Sequence, residues 1–200
     1  MATNKKIEGW GNVDLRTMKR INEINEREGE MEKLIGLVAL FNHMKEDDVL
    51  ELPLDDFNAM IRDLGWMDEP PEMVMPKQEY EVNGHIYELT GNFHKLTTAQ
   101  YLDFQSYSKS KDWEQMLSVF LVPKGKTYNN GYDVYEVQQD LLDMPVGEVL
   151  GLMGFFIIQY RSWSAALLRY SSRMLRRERT KEAKEMRKAL DRAADMFGFR

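Results

Sequence analysis

Cysteine is absent from this chain of 200 residues, which excludes disulfide bonds and thiolate metal sites. Histidine is scarce, and His43, His85 and His94 share no spacing that is typical of metal ligands. The chain also lacks a glycine-rich nucleotide loop, a zinc-protease motif and a serine-hydrolase elbow. We therefore expect no catalytic residues, no cofactor, no bound metal and no enzymatic activity.

Long hydrophobic runs are absent as well. The longest, VLGLMGFFII at 149–158, has about half the length that a helix needs to cross a bilayer. The first residues, MATNKKIEGWGNVDL, contain no apolar segment of the kind found in signal peptides. The sequence therefore predicts a cytoplasmic protein without a membrane partner.

Charge is distributed unevenly along the chain. Residues 159–200 hold 12 Lys and Arg against 5 Asp and Glu, whereas residues 1–158 hold 15 against 28. The chain thus combines an acidic body with a basic C-terminal segment, a pattern that is typical of binding to an anionic partner. Acids alternate with bases at helical spacing after Glu178, which favours a salt-bridged solvated helix over a phosphate-binding arm. An acidic protein face, of this chain or of a partner, is therefore a better candidate for the anion than nucleic acid.

One pattern of helical blocks occurs twice, which favours a scaffold or adaptor over a catalyst. The first copy reads LRTMKRINEI, EKLIGLVALF and DVLELPLDDFNAM, and the second reads LTTAQYLDFQ, EQMLSVFLVP and DLLDMPVGEVLGL. Each copy predicts a first helix, a buried apolar helix, and a helix that ends at proline before another begins. A duplication explains the pattern, and so do two unrelated helix pairs that share the helix-proline-helix order.

Between the copies lies the one clear strand signal, EYEVNGHIYEL, with Asn83-Gly84 as a two-residue hairpin turn. Gly147, Gly151 and Gly154 fall near one face of the last helix and permit close helix packing. We expect a mainly α fold with two related helical units, a proline-rich linker, one β-hairpin and a long C-terminal helix. The expected boundaries are a flexible arm at 1–13, a first helical unit at 14–64, a linker at 65–79, the hairpin at 80–93, a second helical unit at 94–170 and a basic C-terminal helix at 171–200.

Three segments, KLTTAQYLDFQ, LSVFLVPKGKTYNNGYD and DMPVGEVLGLMGFF, resemble phage and prophage proteins of the tail assembly chaperone type, from long-tailed phages. The resemblance covers about residues 78–170. It implies a non-enzymatic assembly factor of the host cytoplasm or the virion, with tape measure or tail tube proteins as partners. A structural connector or adaptor of the virion is an alternative, and a nucleic-acid-binding regulator is another. The resemblance leaves a homo-oligomer open.

The expected partner-binding surface lies on the last helix and the chain terminus. Apolar and basic residues supply it, because such residues suit an apolar, helix-rich partner. The candidates are Phe155, Phe156, Trp163, Tyr170, Met174, Arg176, Arg177, Met196, Phe197 and Phe199.

Overall fold

The computed structural model describes residues 7–90, 95–110 and 112–177, together with Glu185 and Lys188. Over these residues the fold is mainly α with one small sheet, as the sequence predicts. The helices are α1 (Leu15–Asn25), α2 (Glu30–Phe41), α3 (Glu46–Leu50), α4 (Leu54–Asp63), α5 (Thr98–Tyr107), α6 (Trp113–Ser118), α7 (Val134–Leu141) and α8 (Val146–Arg177). The strands are β1 (Glu79–Val82), β2 (His85–Leu89) and β3 (Leu121–Pro123).

Local signals account for most element boundaries. The Asp14 side chain accepts a hydrogen bond of 2.7 Å from the amide of Thr17, which caps α1. Thr97 and Gln100 form a reciprocal capping box at the start of α5. Asn83 and Gly84 both have positive φ, 53° and 81°, as the tight hairpin between β1 and β2 requires. The predicted turn is therefore confirmed, and two of the helices begin at capping residues.

A third strand was not predicted. We expected the second apolar helix to continue to Pro123, but α6 ends at Ser118 and β3 pairs antiparallel with β2, Leu89 opposite Leu121. The run VFLV is short and β-branched at two of its four positions, so it suits a buried strand as well as a helix. The corresponding run of the first copy stays helical throughout α2. The two copies thus share an order of helices but differ at their second block.

The first residues and the linker have defined places in the body. Val13 is 1% exposed, and the ring of Trp10 meets the ring of Trp66 at 5.0 Å. The Trp10 indole also donates a hydrogen bond to the carbonyl of Glu69. Residues 7–13 are therefore packed against the linker and do not form the loose arm that we expected. Residues 1–6 lie outside the described part of the chain.

The two helical units share one body. The amide of Leu15 donates to the carbonyl of Met144, and the amide of Val146 donates to the carbonyl of Val13. Leu15 lies in the large core cluster of the second unit, and Val146 lies in a cluster built mainly by the first. An ion pair adds to this junction, because Lys19 donates to the carboxylates of Glu114 at 2.7 Å and Asp112 at 3.1 Å.

Helix α8 crosses the expected boundary between residues 170 and 171 without a break. Its 32 residues correspond to a length of about 48 Å. The chain has no proline after Pro145, so no proline interrupts the helix once it has started. The second helical unit and the start of the basic segment are consequently parts of one helix.

Candidate partner-binding site

The candidate site is built on α8, which begins inside the core. Val149 and Leu152 are fully buried, and Phe156 is 3% exposed. The ring of Phe156 stacks on that of Phe120 with centroids 3.9 Å apart and an interplanar angle of 23°. We expected Phe156 on the partner-binding surface, and that prediction is wrong for this conformation, because its ring is enclosed by the core.

Further along α8, aromatic side chains pack the helix against α5. Tyr160 meets Phe104 at 5.6 Å, and Trp163 meets Tyr101 at 5.3 Å. Such ring pairs contribute about 0.5–1.5 kcal/mol each beyond their buried area. Phe155 is half-buried and contacts Phe156 edge to face at 5.6 Å. Phe155 and Trp163 therefore lie at the margin of the core, partly accessible to a partner.

Beyond Trp163, α8 becomes exposed. Tyr170 is 62% exposed although it continues the same helical stripe that is buried nearer the start of the helix. We call this stripe the α8 seam; its members follow alternating steps of four and three residues, as in a coiled coil. They are Phe156, Tyr160, Trp163, Leu167, Tyr170 and Met174.

The structure describes the remaining predicted site residues only in part. Met174, Arg176 and Arg177 belong to the helical backbone of α8, and their side chains lie outside the described part of the structure. Met196, Phe197 and Phe199 fall outside the described residues altogether. The structure thus brings Phe155, Trp163 and Tyr170 onto one helix and leaves the contribution of the terminus as a prediction.

The opposite face of α8 carries a feature that sequence reasoning missed. Residues 70–76, which we call the strap, cross this face without regular secondary structure, and the amide of Val74 donates to the carbonyl of Gly147 at 2.9 Å. A β-carbon on Gly147 would lie 2.7 Å from the carbonyl oxygen of Glu72, and one on Gly151 would overlap that of Val74. Gly147 and Gly151 therefore serve close packing, as predicted, but against the strap and not against a helix.

Exposed apolar side chains flank this strap crossing. Met73 and Met75 are 67% and 84% exposed, and Ile158 is 68% exposed. The sulfur of Met73 lies 3.8 Å from the place where a β-carbon of Gly154 would be, so Met73 lies one turn before Ile158 on the same face. The glycine spacing together with the run Met-Val-Met was the signal in the sequence. This second apolar surface is an alternative to the α8 seam.

A groove of about 500 Å³ lies between the sheet and α7, and Asp140 joins its walls. Its carboxylate accepts one hydrogen bond from the side-chain amide of Asn83 at 3.1 Å and another from the hydroxyl of Tyr87. The same carboxylate lies 2.6 Å from Nδ1 of His85. Burial tends to raise the pKa of Asp140, but the hydrogen bonds from Tyr87, His85 and Asn83 hold it below its ordinary value. This network connects the hairpin to α7, and it occupies hydrogen-bond acceptor sites of the Asp140 carboxylate.

We expect Asp140→Asn to lower the free energy of unfolding by about 2 kcal/mol at neutral pH, because hydrogen bonds to a charged acceptor are lost. The folded-state pKa lies below the ordinary value of 3.8, so this stabilisation is complete above that value and is lost as pH falls through the folded pKa. Urea unfolding of the unmodified chain and of Asp140→Asn, measured from pH 7 downwards, should show that the difference between their free energies of unfolding narrows at acid pH. A difference in unfolding free energy that grows on acidification would contradict a folded-state pKa of Asp140 below its ordinary value.

Neither metal binding nor membrane crossing receives support from the described residues. No group of three or more His, Asp or Glu side chains among them is placed to hold a metal ion. Within the same residues, no helix is both long and apolar enough to span a bilayer.

Comparisons with protein-family models, with curated protein sequences and with solved structures give no match.

Proposed function

We propose that this chain is a non-enzymatic assembly factor of a long-tailed phage, a tail assembly chaperone that binds a helical, tape-measure-like protein through the part of α8 beyond Phe156. The observation that carries the proposal is the continuity of the α8 seam. Its first residue, Phe156, is buried, its middle residues contact α5, and Tyr170 is 62% exposed. A stripe that is core at one end and open at the other suits docking of another helix.

The spacing of the α8 seam indicates how such a partner would bind. Amphipathic helices are recognised through apolar anchors at positions i, i+3 or i+4, and i+7. Trp163, Leu167, Tyr170 and Met174 follow that spacing. A partner helix that lies along these positions would extend the contacts that α5 makes with the earlier part of α8. This mode of binding supports the function implied by the resemblance in the second half of the chain.

The proposal is tested by co-expressing the tagged chain with the tape-measure-like protein of the same phage. We expect soluble co-purification with the full chain and loss of it when residues 171–200 are removed. We also expect Tyr170→Asp to weaken capture about tenfold or more, because a carboxylate would have to be buried in an apolar contact. Ile158→Asp adds the same charge on the opposite face of α8 and should leave capture unchanged.

Other outcomes would redirect the assignment. Capture that survives Tyr170→Asp and is lost with Ile158→Asp would place the site on the surface beside the strap. Stoichiometric presence of the chain in finished particles would favour a virion connector or adaptor, because a chaperone is expected to be depleted from them. Binding of duplex DNA with a steep salt dependence would favour a nucleic-acid-binding regulator.

A further inference from the structure

Helix α8 has an unbalanced charge after its first turn. From Val149 to Arg177 the sequence contains no Asp or Glu, and Glu148 and Glu178 are the nearest acids on either side. A solvated helix commonly places acids three or four residues from its bases, which offsets their charge. This segment carries five bases without such acids, namely Arg161, Arg169, Arg173, Arg176 and Arg177.

The rest of the described body does not neutralise the two arginines whose side chains are described. Arg161 and Arg169 are exposed, and no ion pair joins either of them to an acid within residues 7–90, 95–110 and 112–177.

Two of the arginines fall beside the α8 seam. With 3.6 residues per turn, positions 173 and 177 are neighbours of Tyr170 and Met174, whereas positions 169 and 176 lie on the opposite side of the helix. By its helical positions, the seam is therefore apolar from Trp163 to Met174 and basic at its border. A second copy of the same helix would bring like charges together, which disfavours self-association along the seam.

We propose that the helix that docks on the α8 seam is acidic and amphipathic. Its apolar stripe would cover the seam from Trp163 to Met174, and its carboxylates would face Arg173 and Arg177. This inference rests on the proposed function only for the claim that a partner helix binds there. Duplex DNA would pair with the arginines and leave the apolar stripe uncovered, so the combination of features favours a protein helix.

The test uses the purified full chain and two synthetic helical peptides of three heptads each. Both peptides carry the same leucine stripe, and one has Glu and the other Lys at the positions flanking it. We expect the Glu peptide to bind about tenfold or more tightly than the Lys peptide at low salt, with the difference shrinking as salt is added. Fluorescence anisotropy measures both affinities.

Matched charge reversals locate the contact. The double variant Arg173→Glu/Arg177→Glu changes the border of the seam, and Arg169→Glu/Arg176→Glu makes the same change in net charge on the opposite side. We expect the first to weaken binding of the Glu peptide about tenfold and the second to weaken it only about twofold, through the long-range field. Circular dichroism checks that both variants keep their helix content.

Several results would overturn the inference. Equal affinities for the Glu and Lys peptides would show that the partner helix need not be acidic. Equal effects of the two double variants would show that Arg173 and Arg177 do not form the contact. Tighter binding to duplex DNA or to anionic lipid vesicles than to the Glu peptide would identify a different class of partner. Preference for the Glu peptide without capture of a tape-measure-like protein would sink the proposed function alone, whereas capture without that preference would sink this inference alone.

Discussion

Replacing Phe156 with alanine is expected to lower the free energy of unfolding by about 3–5 kcal/mol. The side chain is 3% exposed and stacks on Phe120, itself fully buried, at 3.9 Å. Its removal would leave a cavity between α8 and the segment before β3, and the rigid surroundings would close it only in part. Urea or thermal unfolding of the variant measures the loss.

Ile158 provides the matched control for this experiment. It lies on α8 two residues after Phe156, and its side chain is 68% exposed. Ile158→Ala should change stability by about 0.5 kcal/mol or less, because little buried surface is removed. Similar losses for the two variants would mean that Phe156 is not in the core. That result would return Phe156 to the list of candidate partner contacts and would contradict the packing of α8 described above.

The second large effect is expected at Gly151, where the strap approaches α8 most closely. A β-carbon there would overlap the carbonyl oxygen of Val74, which is backbone and cannot rotate away. Gly151→Ala should therefore displace the strap at a cost of about 1–3 kcal/mol, against which the gain in helix propensity of up to about 1 kcal/mol is small. Unfolding curves measure the net loss, and faster tryptic cleavage after Lys77 would report displacement.

Gly154→Ala is the control for the strap prediction. A β-carbon at this position would meet only the sulfur of Met73 at 3.8 Å, an ordinary van der Waals distance. The substitution should stabilise the protein by about 0.5–1 kcal/mol, because glycine is costly inside a helix. If Gly151→Ala were as stabilising as Gly154→Ala, with no faster cleavage after Lys77, the account of the strap would be wrong.

The elements that the sequence predicted well carry their signals locally. Asp14 and Thr97 stand where helices begin because their side chains can satisfy free amides, and Asn83-Gly84 forms a turn because both residues tolerate positive φ. None of these signals depends on a distant partner. They could therefore be interpreted from a single sequence.

The features that the sequence did not predict depend on distant contacts. β3 forms because β2 offers it a pairing edge, and the run VFLV has no property that reveals this partner. Residues 7–13 are ordered by Trp66, more than fifty positions away. Phe155 and Phe156 are adjacent and equally apolar, so only the placement of α8 against Phe120 decides that the second is core.

The same reasoning applies to the candidate site. The sequence placed the candidate partner-binding residues on the last helix, because apolar and basic residues alternate there at helical spacing, and the candidates from Phe155 to Arg177 all fall on α8. It could not separate the buried beginning of the α8 seam from its exposed continuation, since the pattern is the same along both. The glycine spacing did not reveal that the strap, a segment distant in sequence, packs on the other face at Gly147 and Gly151.

The central claim, that the exposed part of the α8 seam binds a helix of a tail protein, is tested most directly by site-specific crosslinking. The chain has no native cysteine, so Tyr170→Cys and Ile158→Cys each introduce one attachment point for a photo-crosslinker. The account predicts that the reagent at position 170 crosslinks to a helical segment of the co-expressed tape-measure-like protein, and that the reagent at position 158 does not. Crosslinks from position 158 alone, or from neither position, would contradict it.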